Sequence, residues 1–148
     1  MNWFNRKPHF SKAELQQIAQ AIGNAENNTS GEIRVYVENK CKAENVMNRA
    51  AECFHQLKME ATAQRNGVLI YLAMKDRKFA IIGDSGIHQQ VGIDFWEQEK
   101  NILQQHFQSG KIVEGICQCV NTVGNHLQKY FPHQADDKNE LSNEVVIG

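Results

Sequence analysis

Residues 83–86 read Gly-Asp-Ser-Gly, so that a carboxylate and a hydroxyl lie between two glycines. They directly follow a predicted strand, and the sequence therefore predicts a loop at one edge of a sheet. Because glycine has no Cβ, the backbone carbonyls of such a loop can approach a ligand closely. Carboxylate and carbonyl oxygens are the ligands that Ca2+ and Mg2+ prefer. Asp84 is therefore the leading candidate for a metal ligand.

Two further carboxylates are predicted to lie near Asp84. Glu32 opens a predicted strand at 32–38, and this strand is expected to run parallel to the strand at 68–72 because a helix separates the two. A short turn then reverses the chain, which returns Asp84 to the edge that holds Glu32. Asp94 starts the next predicted helix from the same side. We call this edge, with Glu32, Asp84 and Asp94, the acidic pole; Asp136 and Asp137 of the tail are predicted nearby.

Each of these carboxylates also has an ordinary structural interpretation. Glu32 can be a solvated charge at the sheet edge, Asp84 a turn residue and Asp94 a helix N-cap. Spacing alone leaves these alternatives open. Like charges that are brought together repel each other, and a bound cation is one physical account of the arrangement.

The opposite edge of the predicted sheet collects cations, and we call it the basic pole. Its members are Lys40, Lys42, Lys75, Arg77, Lys78 and Lys111. Such a surface is typical of a solvated face or of a site for an anion such as phosphate. Ligand sites of open parallel sheets lie at the carboxyl ends of the strands, which favours this pole. That rule has less weight here because the predicted sheet turns antiparallel after residue 72.

Other patterns of catalytic or metal-binding residues fit this sequence poorly. GDSG surrounds the nucleophile of trypsin-like proteases, but those enzymes need two β-barrels and a longer chain. The sequence has no GxGxxG at a strand-to-helix turn, and residues 136–140 lack the spacing and the glycine of an EF-hand. The six histidines form no HxxxH pair. No pair of nucleophile and base is visible.

The elements that must position these residues follow from hydrophobic periodicity. A capping box at Ser11 and Glu14 starts a helix, and apolar residues between 46 and 57 recur at helical spacing. The unbroken apolar run at 68–72 predicts a central strand that is covered on both faces. Two more helices are predicted after Asp94. The element order αβαββαα predicts an α/β fold, a three-layer α/β/α sandwich around a small mixed sheet.

Two expectations concern the borders of this sheet. Apolar and polar residues alternate in the strand at 32–38, which predicts that one of its faces is only partly covered near the sheet edge. Residues 1–132 are predicted to form one domain and residues 133–148 an acidic C-terminal tail. Within this tail, residues 144–147 could add a short strand.

Composition limits the expected partners. The chain of 148 residues has a formal net charge of −1, so no general attraction to nucleic acid or to a membrane is expected. The N-terminus has no pattern of a signal peptide, and no apolar run approaches the roughly 20 residues of a membrane span. We therefore expect a cytoplasmic protein without a nucleic-acid or membrane partner.

Several segments in order resemble the TPM domain family. They are SGEIRVYVE, then RNGVLIYLAMKDRKFAIIGDSGI, and then FQSGKIVEGI with a closing helix. The resemblance covers about residues 10–131. The tail is similar to that of small soluble bacterial members, which lack a signal peptide and a membrane anchor. The resemblance implies an α/β/α sandwich, Ca2+ binding in some members and acid phosphatase activity in a plant thylakoid member. The family loop usually reads TGxG, whereas residues 83–86 offer an additional carboxylate.

Three hypotheses of function result. The first is a domain that binds a divalent cation at the acidic pole, Ca2+ before Mg2+, with Asp84, Glu32 and Asp94 as ligands. The second is a metal-assisted phosphomonoesterase, in which the metal polarises a phosphorylated small molecule and Asp84 orients water. The third is a non-catalytic module whose sheet edge or tail binds a protein partner.

Overall fold

The computed structural model describes residues 10–133 and 143–148. The helices are α1 (Lys12–Glu26), α2 (Val46–Gln56), α3 (Ser85–Gln108) and α4 (Ile112–Tyr130). The strands are β1 (Glu32–Glu38), β2 (Gly67–Ala73), β3 (Lys78–Gly83) and β4 (Val146–Ile147), and a short 3-10 helix (Met59–Ala61) precedes β2. None of the described helices is long and apolar enough to cross a bilayer. The predicted contribution of Asp136 and Asp137 to the acidic pole lies outside the described residues.

The four strands form one mixed sheet in the order β3-β2-β1-β4. β1 is parallel to β2, and Glu32 is paired with Gly67. β3 is antiparallel to β2, and β4 runs parallel to β1 beside Tyr36 and Val37. The predicted parallel and antiparallel pairings are confirmed, and so is the predicted short strand in the tail.

Helices cover both faces of the sheet. One face packs against α1, α3 and α4 through alternate residues of the strands, among them Ile33, Val35, Ile70 and Ile81. The other face packs against α2 and the 3-10 helix through Leu69 and Tyr71. All seven residues of β2 are buried, as predicted for the central strand. The α/β fold with three layers is therefore confirmed.

The prediction that one face of β1 is only partly covered is wrong. Six of the seven residues of β1 are buried, and only Arg34 is partly exposed. The polar residues Glu32 and Glu38 alternate with apolar ones, yet they are 2% and 3% exposed. These polar positions of β1 are buried because their carboxyl groups interact with protein partners instead of water.

The predicted loop at residues 83–86 is also wrong. α3 begins at Ser85, and Asp84 is its N-cap. The helix is then interrupted at Gly92, whose φ of 77° lies in the left-handed region that glycine adopts without strain. Asp94 follows this break, so the pattern that predicted a helix start at Asp94 marks the second half of a kinked helix.

Candidate metal centre

The acidic pole is built where β1 and β2 begin and β3 ends. Glu32 pairs with Gly67, and Val68 pairs with Gly83. The Asp84 amide donates to the Gly67 carbonyl at 2.9 Å. Glu32 and Asp84 thus flank the start of β2 at one edge of the sheet, two strand spacings or roughly 10 Å apart.

Both carboxylate oxygens of Asp84 already have donors. Asp84 is 7% exposed, and Arg65 donates to it from Nε at 2.6 Å and from Nη2 at 2.9 Å. The Ser85 amide also donates to Asp84 Oδ1 at 2.7 Å, which caps α3. The hydrogen bonds to Asp84 raise the pKa of Arg65. A cation could bind Asp84 only if the Arg65 side chain, which is 52% exposed, moved away.

The two glycines around Asp84 allow close packing. A Cβ at Gly83 would collide with the ring of Trp96. A Cβ at Gly86 would collide with the Gln64 carbonyl oxygen, and the Gly86 amide donates to the Arg65 carbonyl at 2.8 Å. Because these glycines have no side chains, α3 can pack against the segment that carries Arg65. Their role is therefore close packing, whereas the sequence predicted that they let backbone carbonyls approach a ligand.

Glu32 lies in a second cluster of charges that the sequence did not reveal. The Glu26 carboxylate accepts from the Ile33 amide at 2.7 Å and also hydrogen-bonds with Glu32. Burial, with the nearby Glu32 carboxylate, raises the pKa of Glu26 from 4.5 to about 9, although the Ile33 amide acts in the opposite direction. One proton is therefore held between two carboxyl groups at neutral pH.

Arg34 is the cation beside this carboxyl pair. Burial lowers the pKa of Arg34, whereas Glu26, Glu32 and Glu144 raise it. One sequence signal could have indicated the pair. Glu26 ends α1, and a carboxylate at the C-terminus of a helix is disfavoured by the helix dipole unless it is neutralised.

Asn66 adds a further oxygen to this edge. It is 1% exposed, its Nδ2 donates to Ser30 Oγ at 3.1 Å, and its backbone carbonyl accepts from the Glu32 amide at 3.4 Å. Among the residues that the structure describes, its buried Oδ1 atom has no hydrogen-bond partner. An unpaired buried acceptor is costly, and water or a cation is the usual remedy.

Asp94 is exposed beyond the break in α3. The nearby Trp96 packs on Gly83, and its Nε1 donates to His88 Nδ1 at 3.0 Å, so this part of α3 lies beside the end of β3. Within residues 10–133 and 143–148, no group of three or more His, Cys, Asp or Glu side chains is arranged to hold a metal ion. Asp84, Glu32 and Asp94 thus remain a prediction as a ligand set.

A second buried charge network lies at the opposite end of β1. Arg49 of α2 donates to Glu38 from Nε at 2.8 Å and from Nη2 at 3.1 Å, and the Tyr71 hydroxyl also donates to Glu38. Burial by itself would raise the pKa of Glu38, but the hydrogen bonds from Arg49 and Tyr71 hold it below its usual value. The guanidinium also lies over the Tyr36 ring, 5.8 Å from its centroid. This network joins α2 to the sheet, and neither its members nor their pairing was predicted.

Comparison with known proteins identifies the family of this chain. The chain matches the family model of the TPM domain over residues 6–126, which is most of its length. The chain belongs to the TPM domain family. None of the curated proteins compared with it matches.

Solved structures agree with this assignment. The TPM domain described here is similar to the BA42 protein of the psychrophilic bacterium Bizionia argentinensis, with 41% identity and a TM-score of 0.88 over 98% of this chain and 99% of the other. The N-terminal domain of cg2496 from Corynebacterium glutamicum has 15% identity and a TM-score of 0.63, over 80% and 74% of the two chains. An N-terminal domain from P. gingivalis has 17% identity and a TM-score of 0.65, over 84% and 82%. At these lower identities the likeness concerns the fold alone.

Proposed function

We propose that this TPM domain binds a divalent cation at the acidic pole, with Ca2+ as the first choice and Mg2+ as the second. The observation that carries the proposal is the contact between the Glu26 and Glu32 carboxyl groups at a buried edge. Arg34 supplies one positive charge beside the pair, yet the pKa of Glu26 stays raised, so ionisation of both groups needs a further positive charge. A divalent cation supplies that charge, and carboxylate oxygens are its preferred ligands.

The proposal changes the order of the candidate ligands. Glu32 comes first, together with Glu26. Asp84 comes next, because a cation must compete with the bidentate Arg65 for its oxygens. Asp94 is exposed beyond the break in α3, so it ranks as a peripheral ligand. The unpaired Oδ1 of Asn66 lies on the residue before Gly67, which pairs with Glu32, and supports an oxygen-rich edge.

Thermal unfolding with and without Ca2+ tests the proposal, since a ligand that binds only the folded state raises its stability. At 100 times the dissociation constant the gain is about 2.7 kcal/mol, and for a chain of this length this shifts Tm by roughly 5–10 °C. Glu32→Gln should abolish most of this rise and Asp84→Asn part of it. Glu97→Gln, an exposed glutamate of α3, is the matched control.

The Tm shifts of the variants with Ca2+ show where at this edge the ion binds. If Ca2+ raises the Tm of the wild type and Glu97→Gln but not of Glu32→Gln, the acidic pole holds the ion. If Asp84→Asn alone loses the response, the ion lies on the Arg65 side of the edge. Equal shifts in all four proteins, or none in any, would refute the proposal.

The phosphomonoesterase and the protein-interaction module remain proposals of lower rank, because they rest on family resemblance and on an open sheet edge. Hydrolysis of p-nitrophenyl phosphate, measured with Ca2+, with Mg2+ and with EDTA, tests the enzyme. Metal-dependent turnover that Asp84→Asn abolishes would support it. Turnover that is the same in wild type and variant would count against a role of Asp84.

A further inference from the structure

All members of the basic pole except Lys111 lie on two chain segments that are tied together. The loop between β1 and α2 and the turn between β2 and β3 meet beyond the ends of their strands. The Lys75 amide donates to the Asn39 carbonyl at 2.7 Å, and the Cys41 amide donates to Asp76 Oδ2 at 2.7 Å. These bonds fix the relative positions of the cations that the two segments carry.

The two segments carry far more positive than negative charge. Their five cations, all exposed, are Lys40, Lys42, Lys75, Arg77 and Lys78. The same segments contain two exposed carboxylates, Glu44 and Asp76, and the latter accepts a hydrogen bond from the Cys41 amide. The next carboxylate, Glu38, is buried and paired with Arg49, and Lys42 Nζ also lies 3.8 Å from Glu38 Oε1. A net charge of −1 for the whole chain therefore conceals a local excess of cations.

An exposed apolar side chain lies beside these cations. Met47 is in the first turn of α2, two residues after the N-cap Asn45, and it is 48% exposed. The start of α2 follows the loop that carries Lys40 and Lys42, so Met47 belongs to the same end of the molecule. Cations and an exposed apolar side chain at the same end of a molecule are the pattern of an interfacial membrane contact.

Other anionic ligands fit this surface less well. A small phosphorylated molecule needs a concave site, whereas these side chains project from two turns. Single-stranded nucleic acid is held by stacking on aromatic rings, and residues 39–48 and 74–78 contain no Phe, Tyr or Trp. A flat anionic surface needs neither a pocket nor a ring.

We propose that the basic pole docks on an anionic lipid surface, with the five cations of its two tied segments over the headgroups and Met47 at the interface. This contact is peripheral, and it departs from the expectation of no membrane partner because that expectation rested on net charge and on the lack of a spanning segment. Each lysine or arginine near such a surface strengthens binding roughly fivefold. The opposite, acidic pole faces away from the membrane in this orientation.

Co-sedimentation with vesicles tests the docking. We expect the wild type to bind vesicles that contain phosphatidylserine, to ignore vesicles of pure phosphatidylcholine, and to be released by high salt. The variant Lys40→Gln/Lys75→Gln/Lys78→Gln should bind roughly 100-fold more weakly. The control Lys58→Gln/Lys100→Gln/Lys129→Gln loses the same charge from exposed lysines elsewhere and should bind as the wild type does.

Two further measurements separate the possible causes. Met47→Ser keeps every charge. If this variant binds acidic vesicles more weakly than the wild type at every salt concentration, the difference identifies the apolar contact. Binding to RNA without binding to acidic vesicles would overturn the proposal in favour of nucleic acid. No vesicle binding, or equal losses in the two triple variants, would also overturn it.

Discussion

Glu26→Gln should remove most of a pH dependence of stability that the carboxyl pair creates. Gln can still accept the Ile33 amide hydrogen through its carbonyl, and its amino group can donate to Glu32 in place of the shared proton. The substitution therefore keeps the geometry and removes only the ionisation. We expect the variant to be more stable than the wild type at pH 8 and nearly equal to it near pH 5.

The sign follows from the direction of the pKa change. Burial and Glu32 raise the pKa of Glu26 to about 9 from 4.5. Between these values the folded state holds a proton that the unfolded state has lost, so stability falls as the pH rises. The contribution of Glu26 is fully present below about pH 4.5 and is lost as the pH passes through about 9.

The magnitude has an upper limit. One proton corresponds to a slope of about 1.4 kcal/mol per pH unit, or about 4 kcal/mol between pH 5 and pH 8. Structural relaxation around an ionised Glu26 lowers this change in unfolding free energy. Half of the change is still easily measured. Arg34 is close enough to favour the ionised form of Glu26, which acts in the same direction as relaxation.

Urea unfolding at intervals between pH 5 and pH 8, in buffer with EDTA, measures the effect. The free energy of unfolding of Glu26→Gln is compared with that of the wild type and of Glu97→Gln, which removes one exposed glutamate elsewhere in the chain. The difference between Glu26→Gln and the wild type should grow steadily with pH. A constant difference across this range would refute the shared proton.

Three further predictions concern the core and the second charge network. Ile70→Ala, in the fully buried strand β2, should cost roughly 2–5 kcal/mol in urea unfolding through lost transfer energy and a cavity; a loss below about 1 kcal/mol would mean that β2 is not central. Arg49→Met should cost roughly 3–5 kcal/mol because it leaves the buried Glu38 with only the exposed Lys42 as a cation, and a second change, Glu38→Gln, should recover part of this loss. The amide of Gly148 donates to the Val37 carbonyl at 2.7 Å and should be protected from hydrogen exchange. Its protection should be less than that of the Leu69 amide, because a strand of two residues opens locally. Exchange as fast as in an unfolded peptide would mean that β4 does not form in solution.

The two poles show how far topology can be inferred without coordinates. The sequence places Glu32 and Asp84 at one edge of the sheet because a helical crossover makes β1 and β2 parallel and a short turn makes β3 antiparallel. Those rules concern the backbone and are local. They do not say which way a carboxylate turns, and so they did not reveal that Arg65 binds Asp84.

The break in α3 marks a different limit. The sequence pattern at Asp94 predicts a helix start, and it is correct for the second half of α3. The first half begins at Ser85 because Asp84 caps it and Gly86 lets it approach the Arg65 carbonyl. This close approach between distant segments is a tertiary contact, and Gly86 in the sequence is equally compatible with a loop.

The sequence alone determined the periodic elements, their order and the direction of each strand, because these depend on the spacing of apolar residues and on connections of a few residues. It also placed Glu32 and Asp84 at one edge of the sheet. Only the tertiary structure decided which charges are neutralised. Glu26 meets Glu32, Arg49 meets Glu38 and Arg65 meets Asp84, the last two pairs across 11 and 19 residues of sequence. Such pairs depend on the burial and orientation of side chains from different elements, which only the packed layers provide.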